Sequence, residues 1–219
     1  MMLAFAASAQ KNVTQFMGIP IDGTKSAMIQ KLKAKGFTYN ATYDELSGEF
    51  NGSEVKISVV TNNNKVYRIF VTYAIGVSES DIKVNFNRLC RQFQKNGKYL
   101  ARNLIGMYEI GEEEDISYEM AVNNKRYQAS YYQVSESDLD TTGFTQWAEI
   151  KLLAKMTLSG KESFTEEEMR NYMIELLLTY YDEKCSHKSV WFMISERYGR
   201  YFINIYYDNK NNEANGEDL

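Results

Sequence analysis

Apolar residues follow a helical period in two stretches of the first hundred residues and a strand period between them. The first helix is predicted after the turn at Asp22-Gly23, with Thr24 as its N-cap and Gly36 at its end. A second helix is predicted over residues 79–96. Between the two helices, four strands separated by Asn-rich or Gly-rich turns are predicted near residues 37–42, 45–51, 54–61 and 65–73.

The second half of the chain mixes strands with one strongly patterned helix. Residues 144–158 fit either a short helix or a strand, and residues 135–143 are polar and predict a loop. A helix is predicted over 165–183, where three glutamates occupy the first turn. Strands are predicted near 115–122, 126–134, 188–196 and 201–208, the last two joined as a hairpin by Tyr198-Gly199.

This order of elements predicts an α+β protein, in which antiparallel β-meanders carry helices packed on one face. The chain would form one or two related modules. The first spans residues 10–100, and the second spans 101–208 and could share one continuous sheet with the first. The polar tail, residues 209–219, is expected to fray.

Composition excludes several classes of protein. The chain has one His and two Cys, too few for the usual four-ligand zinc site without carboxylates. Its formal net charge of −4 makes it a poor candidate for nucleic-acid binding. No apolar run reaches the ~20 residues that a membrane-spanning helix requires. The composition therefore indicates a globular domain.

The N-terminus carries the pattern of an export signal. Ala7-Ser8-Ala9 before Gln10 has the small residues that a signal peptidase requires on both sides of a variable position. The apolar stretch before it is short, so residues 1–9 are interpreted as the remnant of a signal peptide. The protein is then expected in the periplasm or at the cell surface.

The two cysteines allow two interpretations in such a compartment. A bridge between Cys90 and Cys185 would close a long loop and could add ~4–5 kcal/mol in the chain-entropy model. Alternatively, both are separately buried thiols. Cys185 also lies close to His187, but no third group that would orient the His is evident, so catalysis is not expected here.

Two stretches of sequence, one near each end of the chain, carry a resemblance to known proteins. They are the opening Phe16-Met17-Gly18-Ile19-Pro20-Ile21-Asp22-Gly23-Thr24 with Lys35-Gly36-Phe37, and the ending Tyr206-Tyr207-Asp208-Asn209 through Ala214-Asn215-Gly216-Glu217-Asp218-Leu219. Both resemble uncharacterised secreted proteins of gut Bacteroidetes. The resemblance implies export and no known activity. The order of a helix and a four-stranded meander is also similar to β-lactamase-inhibitor-like proteins and small outer-membrane assembly lipoproteins, which are binding modules.

The loop after residue 137 matches part of a calcium-binding pattern. In an EF-hand reading, oxygen ligands come from alternate positions and a glycine, here Gly143, makes the sharp turn. The candidate ligands are Asp138, Asp140, Thr142, the carbonyl of Phe144 and Glu149. The alternative is an Asp-rich loop that caps the next element. Within this loop, Asp140-Thr141-Thr142 resembles the O-glycosylation sequon of Bacteroidetes, with Thr141 as the acceptor.

Adjacent tyrosine pairs mark several predicted elements. Neighbours in a strand face opposite sides, so one Tyr of each strand pair is expected to face solvent and offer a rigid surface with a hydroxyl group. We assign this binding role to Tyr132 and Tyr207. The alternative is that Tyr is simply a favourable strand residue.

The sequence as a whole favours an exported, non-enzymatic module that binds a protein partner. The first alternative is a carbohydrate-binding or carbohydrate-processing envelope protein. The second is a calcium-stabilised structural protein. No cofactor is expected unless calcium binds.

Overall fold

The structure, a computed structural model, describes residues 12–103, 108–160, 163–214 and 216. The predicted signal-peptide remnant, residues 1–9, lies outside the described residues. In chain order the elements are β1 (Gln15–Phe16), β2 (Ile19–Pro20), α1 (Lys25–Ala34), β3 (Thr38–Asn40), β4 (Glu45–Phe50), β5 (Ser53–Asn62), β6 (Lys65–Tyr73), α2 (Glu79–Lys95), β7 (Tyr99–Ala101), α3 (Ile116–Val122), β8 (Gln128–Gln133), α4 (Phe144–Ser159), α5 (Glu166–Cys185), β9 (Lys188–Arg197) and β10 (Arg200–Asn209).

One antiparallel sheet runs through both halves of the chain, and the α+β class is confirmed. Its eight strands lie in the order β3-β4-β5-β6-β10-β9-β8-β7, while β1 and β2 form a separate small hairpin. The halves meet where β10 pairs with β6, with Ile205 opposite Val71. The two predicted modules therefore contribute to one continuous sheet, the arrangement that the sequence allowed for the second module.

Helices α1 and α2 pack on one side of this sheet, which we call the covered face. Alternate strand residues such as Ile57, Ile69, Ile205 and Phe192 point into it and are fully or almost fully buried. Helix α2 contributes five buried side chains at helical spacing: Ile82, Phe86, Leu89, Cys90 and Phe93. Because strand and helix periods both match this interface, it forms the main hydrophobic core.

The helices do not all lie on one face, which differs from the sequence expectation. Helix α5 packs on the opposite side of the sheet, where Tyr181 and Cys185 form a small cluster with Tyr132 and Val134. This cluster covers only the β7–β8 end. We call the rest of the second side the open face; it carries the side chains of β5, β6, β10 and β9 that alternate with those of the covered face. Its central members are Ser58, Phe70, Tyr206 and Trp191.

The strand predicted at 115–122 is wrong, because this segment is helix α3. The side chain of Asp115 accepts a hydrogen bond from the backbone N–H of Tyr118 and caps the helix. Ile116 and Met120, four residues apart, pack on the core, whereas Tyr118 is 54% exposed. The alternating apolar pattern therefore serves a short helix, and the ambiguous segment 144–158 is helix α4.

The beginning of the polar tail is ordered by asparagine side chains, contrary to the expected fraying from residue 209. The Asn209 amide donates to the carbonyl of Ile21 at 2.7 Å and is almost fully buried. The Asn212 amide donates to the carbonyl of Val66 at 2.8 Å. These bonds fix the end of β10 and the residues after it against the lead-in to α1 and the start of β6.

Candidate functional site

A row of three aromatic side chains crosses the middle of the open face. The strand register places Trp191 of β9 opposite Tyr206 of β10, and Tyr206 opposite Phe70 of β6. The rings of Trp191 and Tyr206 stack with centroids 3.8 Å apart and planes 9° from parallel. The rings of Tyr206 and Phe70 follow at 4.9 Å and 25°. All three side chains are only half-buried, so we call them the aromatic row.

The stacking direction determines which part of each ring is available. Trp191, Tyr206 and Phe70 come from neighbouring strands, so the stack runs across the sheet from strand to strand. Each ring therefore stands on edge. The inner ring faces are occupied by one another, and the edges point outward. An apolar ridge of this kind suits contact with a complementary surface, whereas a sugar stacks on a free ring face.

A charged hydrogen-bond network supports one side of the aromatic row. Arg68 donates through Nε and Nη2 to the two carboxylate oxygens of Asp208, at 2.6 and 2.9 Å. The indole N–H of Trp191 donates to the same carboxylate at 2.9 Å. The hydrogen bond to Asp208 raises the pKa of Arg68. The guanidinium also lies 5.2 Å from the centroid of the Tyr206 ring, a cation–π contact.

A neutral network supports the other side of the row. The Thr72 hydroxyl donates to the side-chain oxygen of Asn204 at 2.7 Å, and the Asn204 amide donates to the Ser195 hydroxyl at 2.9 Å. Asn204 is almost fully buried although it belongs to the open face. The row is therefore held between two sets of fixed polar side chains and loses little conformational entropy when it binds.

The two tyrosines assigned to binding from the sequence are not exposed. Tyr207 is 4% exposed on the covered face, where its ring packs edge-on against Phe16 at 5.0 Å. Burial raises the pKa of Tyr207 well above its ordinary value. Tyr132 is 3% exposed beneath α5, and its hydroxyl donates to Asp182 at 2.5 Å. Both residues are core residues, and the proposed binding role for this pair is wrong.

The error at Tyr207 is a matter of register. Its neighbour Tyr206 is the half-exposed member of the pair, because β10 turns even-numbered residues to the open face. The placing of Asn204 between Ile203 and Ile205 could have indicated this, since buried isoleucines fix the covered side. At Tyr132 no such signal exists, because α5 covers the second side there and both members of the pair are buried.

The structure does not assemble the predicted calcium site. The Asp138 carboxylate accepts hydrogen bonds from the Lys188 ammonium at 2.5 Å and from the Ser135 backbone, and both members of the ion pair are buried. Burial opposes ionisation of Asp138, but the hydrogen bonds from Lys188 and Ser135 outweigh it and lower its pKa. Across residues 12–103, 108–160, 163–214 and 216, no three His, Cys, Asp or Glu side chains are grouped to hold a metal.

The rest of the predicted loop does not fit the capping alternative either, because α4 begins after Gly143 with no side-chain hydrogen bond at its N-cap. The Asp140 carboxylate accepts from the backbone N–H of Thr142 at 2.9 Å. Phe144 begins α4, with its ring 5.3 Å from Tyr180, and Glu149 is exposed on that helix. Thr141 is exposed just before α4, where glycosylation stays a prediction.

The two cysteines are separate buried thiols. Cys90 lies in the core of the covered face and Cys185 lies in the cluster under α5, so the sheet stands between them. Burial raises the pKa of Cys90 to about 12, and burial also raises the pKa of Cys185. A nucleophilic thiol requires a lowered pKa. His187 lies near Cys185 in the chain, with its Nε2 3.1 Å from the carbonyl oxygen of Asn12.

A cleft of about 880 Å³ lies between the lead-in hairpin and the end of β8. Gln133 bonds the backbone of Gln15 twice, by accepting from its N–H at 2.6 Å and donating to its carbonyl at 2.9 Å. At one edge of the cleft, the charge of Lys188 is neutralised by Asp138 and the ammonium also donates to Asn12. Because these groups are paired with one another, the cleft is a weaker candidate than the aromatic row.

Comparison of the chain with protein-family models, with curated proteins and with solved structures finds no match. Among the helices that the structure describes, none has both the length and the apolar character needed to cross a bilayer.

Proposed function

We propose that this protein is an exported, non-enzymatic module that binds a protein partner through the open face of its sheet. The aromatic row of Trp191, Tyr206 and Phe70 carries the proposal, because large apolar side chains stay half-exposed while polar networks fix them on both sides. Rigid aromatic side chains with a charged neighbour such as Arg68 are typical of residues that dominate protein interfaces.

The orientation of the rings favours a protein over a glycan. Carbohydrate recognition by an aromatic residue uses the flat face of the ring, and here both faces of Tyr206 and one face each of Trp191 and Phe70 are covered within the row. A protein partner can pack apolar side chains along the outward edges. The carbohydrate alternative therefore receives less support from this site than the protein-binding proposal does.

A site-specific crosslink tests the proposal. A photo-crosslinking amino acid, p-benzoylphenylalanine, replaces Phe70, so that an aromatic ring is kept in the row. Irradiation of the native host is expected to give a discrete protein adduct. The matched control carries the same amino acid in place of Tyr118, which is 54% exposed on α3.

The adduct must also depend on the rest of the row. Trp191→Ala in the Phe70-substituted protein is expected to reduce the adduct at least tenfold while the folded state persists, as a thermal melt would confirm. If the crosslinker at position 70 gives no adduct, or an adduct no more specific than that from position 118, the proposed function loses its basis. Loss of the adduct after glycosidase treatment would instead favour the carbohydrate alternative.

A further inference from the structure

The turn between β9 and β10 has three features that disfavour folding, and they involve Arg197, Tyr198 and Arg200. We call these residues with Gly199 the hairpin tip. Tyr198 is 103% exposed, so its ring packs on nothing. It also adopts a φ of +54°, in the left-handed region. Bulky residues rarely occupy this region, because their Cβ crowds the following carbonyl.

The other hairpins of the sheet show the residue that this conformation usually takes. In the β3–β4, β4–β5 and β5–β6 turns, the residues other than glycine at positive φ are Asp44, Asn51, Asn63 and Asn64. Asn tolerates the left-handed region and is preferred in such turns. The β1–β2 turn places Met17 at a φ of +50°, but that side chain is 39% exposed and lines the cleft. Tyr198 alone of these residues combines the strained backbone with full exposure.

The third unfavourable feature is a pair of like charges. Arg197 and Arg200 face each other directly across the strand pair, on the open face. Cations directly opposite one another destabilise a hairpin, and neither forms an ion pair with an acidic residue in the part of the chain that the structure describes. Both are nevertheless held in place. Arg200 donates to the carbonyl of Gly76 at 2.6 Å, and Arg197 lies 5.7 Å from the Phe202 ring.

The tip is also positioned to reach beyond the sheet. Strand β8 pairs with β9 only as far as Met193, so the hairpin continues past this neighbour. The Glu196 carboxylate accepts a hydrogen bond from the Gly199 N–H and fixes the turn, and Arg197, Tyr198 and Arg200 are all exposed there. Residues that lower stability and do not improve packing are expected at sites where a protein contacts a ligand or partner.

From these observations we infer that the hairpin tip is an anchor that inserts Tyr198 into an acidic recess of the protein partner, with Arg197 and Arg200 on the carboxylates around it. The inference rests on the proposed function and deepens it, since the tip continues the open face that carries the aromatic row. It names the chemistry of the partner: a protein surface rich in Asp and Glu.

Crosslinking from the tip tests the chemistry of the partner. The amino acid p-benzoylphenylalanine replaces Tyr198, and the matched control carries it in place of Tyr43, which is 73% exposed in the turn between β3 and β4. We expect a protein adduct from position 198 only, with the crosslinked peptide mapping to an acidic segment. A neutral or basic segment, a nucleic-acid or polysaccharide adduct, or equal adducts from both positions would overturn the inference.

A second variant separates binding from folding. Tyr198→Asn is expected to raise the melting temperature by roughly 2 °C, because Asn accepts the left-handed conformation. It should also reduce the adduct formed from position 70 at least tenfold, as should Arg197→Gln with Arg200→Gln. A lower melting temperature would contradict the strain on which the inference rests.

The two proposals fail in different ways. If position 70 gives its adduct equally well in Tyr198→Asn, the tip is not an anchor and binding through the aromatic row stands. If position 70 gives no adduct in the otherwise unchanged protein, the proposed function itself fails.

Discussion

The two faces of the sheet use the same strands for different purposes. On the covered face, Ile69, Ile205 and Phe192 are buried against α1 and α2, and their contacts are almost entirely apolar. On the open face, their immediate neighbours Phe70, Tyr206 and Trp191 stack on one another and stay half-exposed between hydrogen-bonded polar groups. On β6, β9 and β10, these aromatic residues therefore contribute to the core or to a surface according to the parity of their position.

The largest difference is expected between two adjacent tyrosines. Tyr207→Ala should lower the free energy of unfolding by about 3–5 kcal/mol, because it empties a buried site beside Phe16. Tyr206→Ala should cost about 1–2 kcal/mol, because its side chain is only partly buried and none of the described helices covers it. Urea unfolding measures both values. Equal losses would show that the open face is as much a core as the covered face.

Two ion pairs extend the comparison to charged groups. Asp138→Asn leaves the buried ammonium of Lys188 without its counter-charge and should cost about 3 kcal/mol. Asp208→Asn should cost about 1–2 kcal/mol, because the Arg68 side chain on the open face is 24% exposed and can be hydrated. The same urea titration ranks the two variants. A larger loss for Asp208→Asn would mean that the network under the aromatic row is the more important of the two for folding.

Acidification should remove the contribution that the buried ion pair of Asp138 and Lys188 makes to stability. The folded-state pKa of Asp138 is lowered from 3.8, so the stability that its ionisation contributes is present above this value and is lost as the pH falls through the lower folded pKa. We expect the melting temperature to fall on acidification below about pH 4, and this fall to be shallower in Asp138→Asn.

Asp44 provides the matched control for this pH dependence. Its pKa is also lowered, by hydrogen bonds from Lys25 and Tyr39, but its carboxylate is exposed in a turn. Asp44→Asn should therefore leave the acid-induced fall almost unchanged. If both variants flatten the profile equally, the buried pair has no special role in acid stability.

The sequence predicted the first half of the chain more accurately than the second, for physical reasons. Helix α2 and strand β6 each bury one side only, so their apolar periods reveal both type and orientation. Helix α3 has seven residues, too few for a helical period to outweigh an alternating pattern. Strand β8 is covered on both sides at Tyr131 and Tyr132, so buried and exposed positions do not alternate there and the sequence does not show which Tyr faces solvent.

The aromatic row could not be predicted in the same way. Its residues Phe70, Trp191 and Tyr206 are distant in the chain, and they meet only because β10 pairs with both β6 and β9. The hairpin of β9 and β10 was predictable, but its pairing with β6 joins the two halves of the chain and leaves no local signal. The same holds for the pair of Asp138 and Lys188, which turns a calcium-like loop into a structural contact.

The smallest expected effect concerns the two thiols and the two helical layers that cover them. Neither should react quickly with a thiol reagent in the native protein, because burial raises the pKa of both Cys90 and Cys185.

Cys185 lies in the small cluster under α5, whereas Cys90 lies in the main core. A small cluster opens locally at lower free energy than a large core. In urea below the unfolding transition, Cys185 should therefore react at least tenfold faster than Cys90, as measured with the single-thiol variants Cys90→Ala and Cys185→Ala. Equal rates would mean that α5 and the main core open together, so that the two sides of the sheet form one cooperative unit.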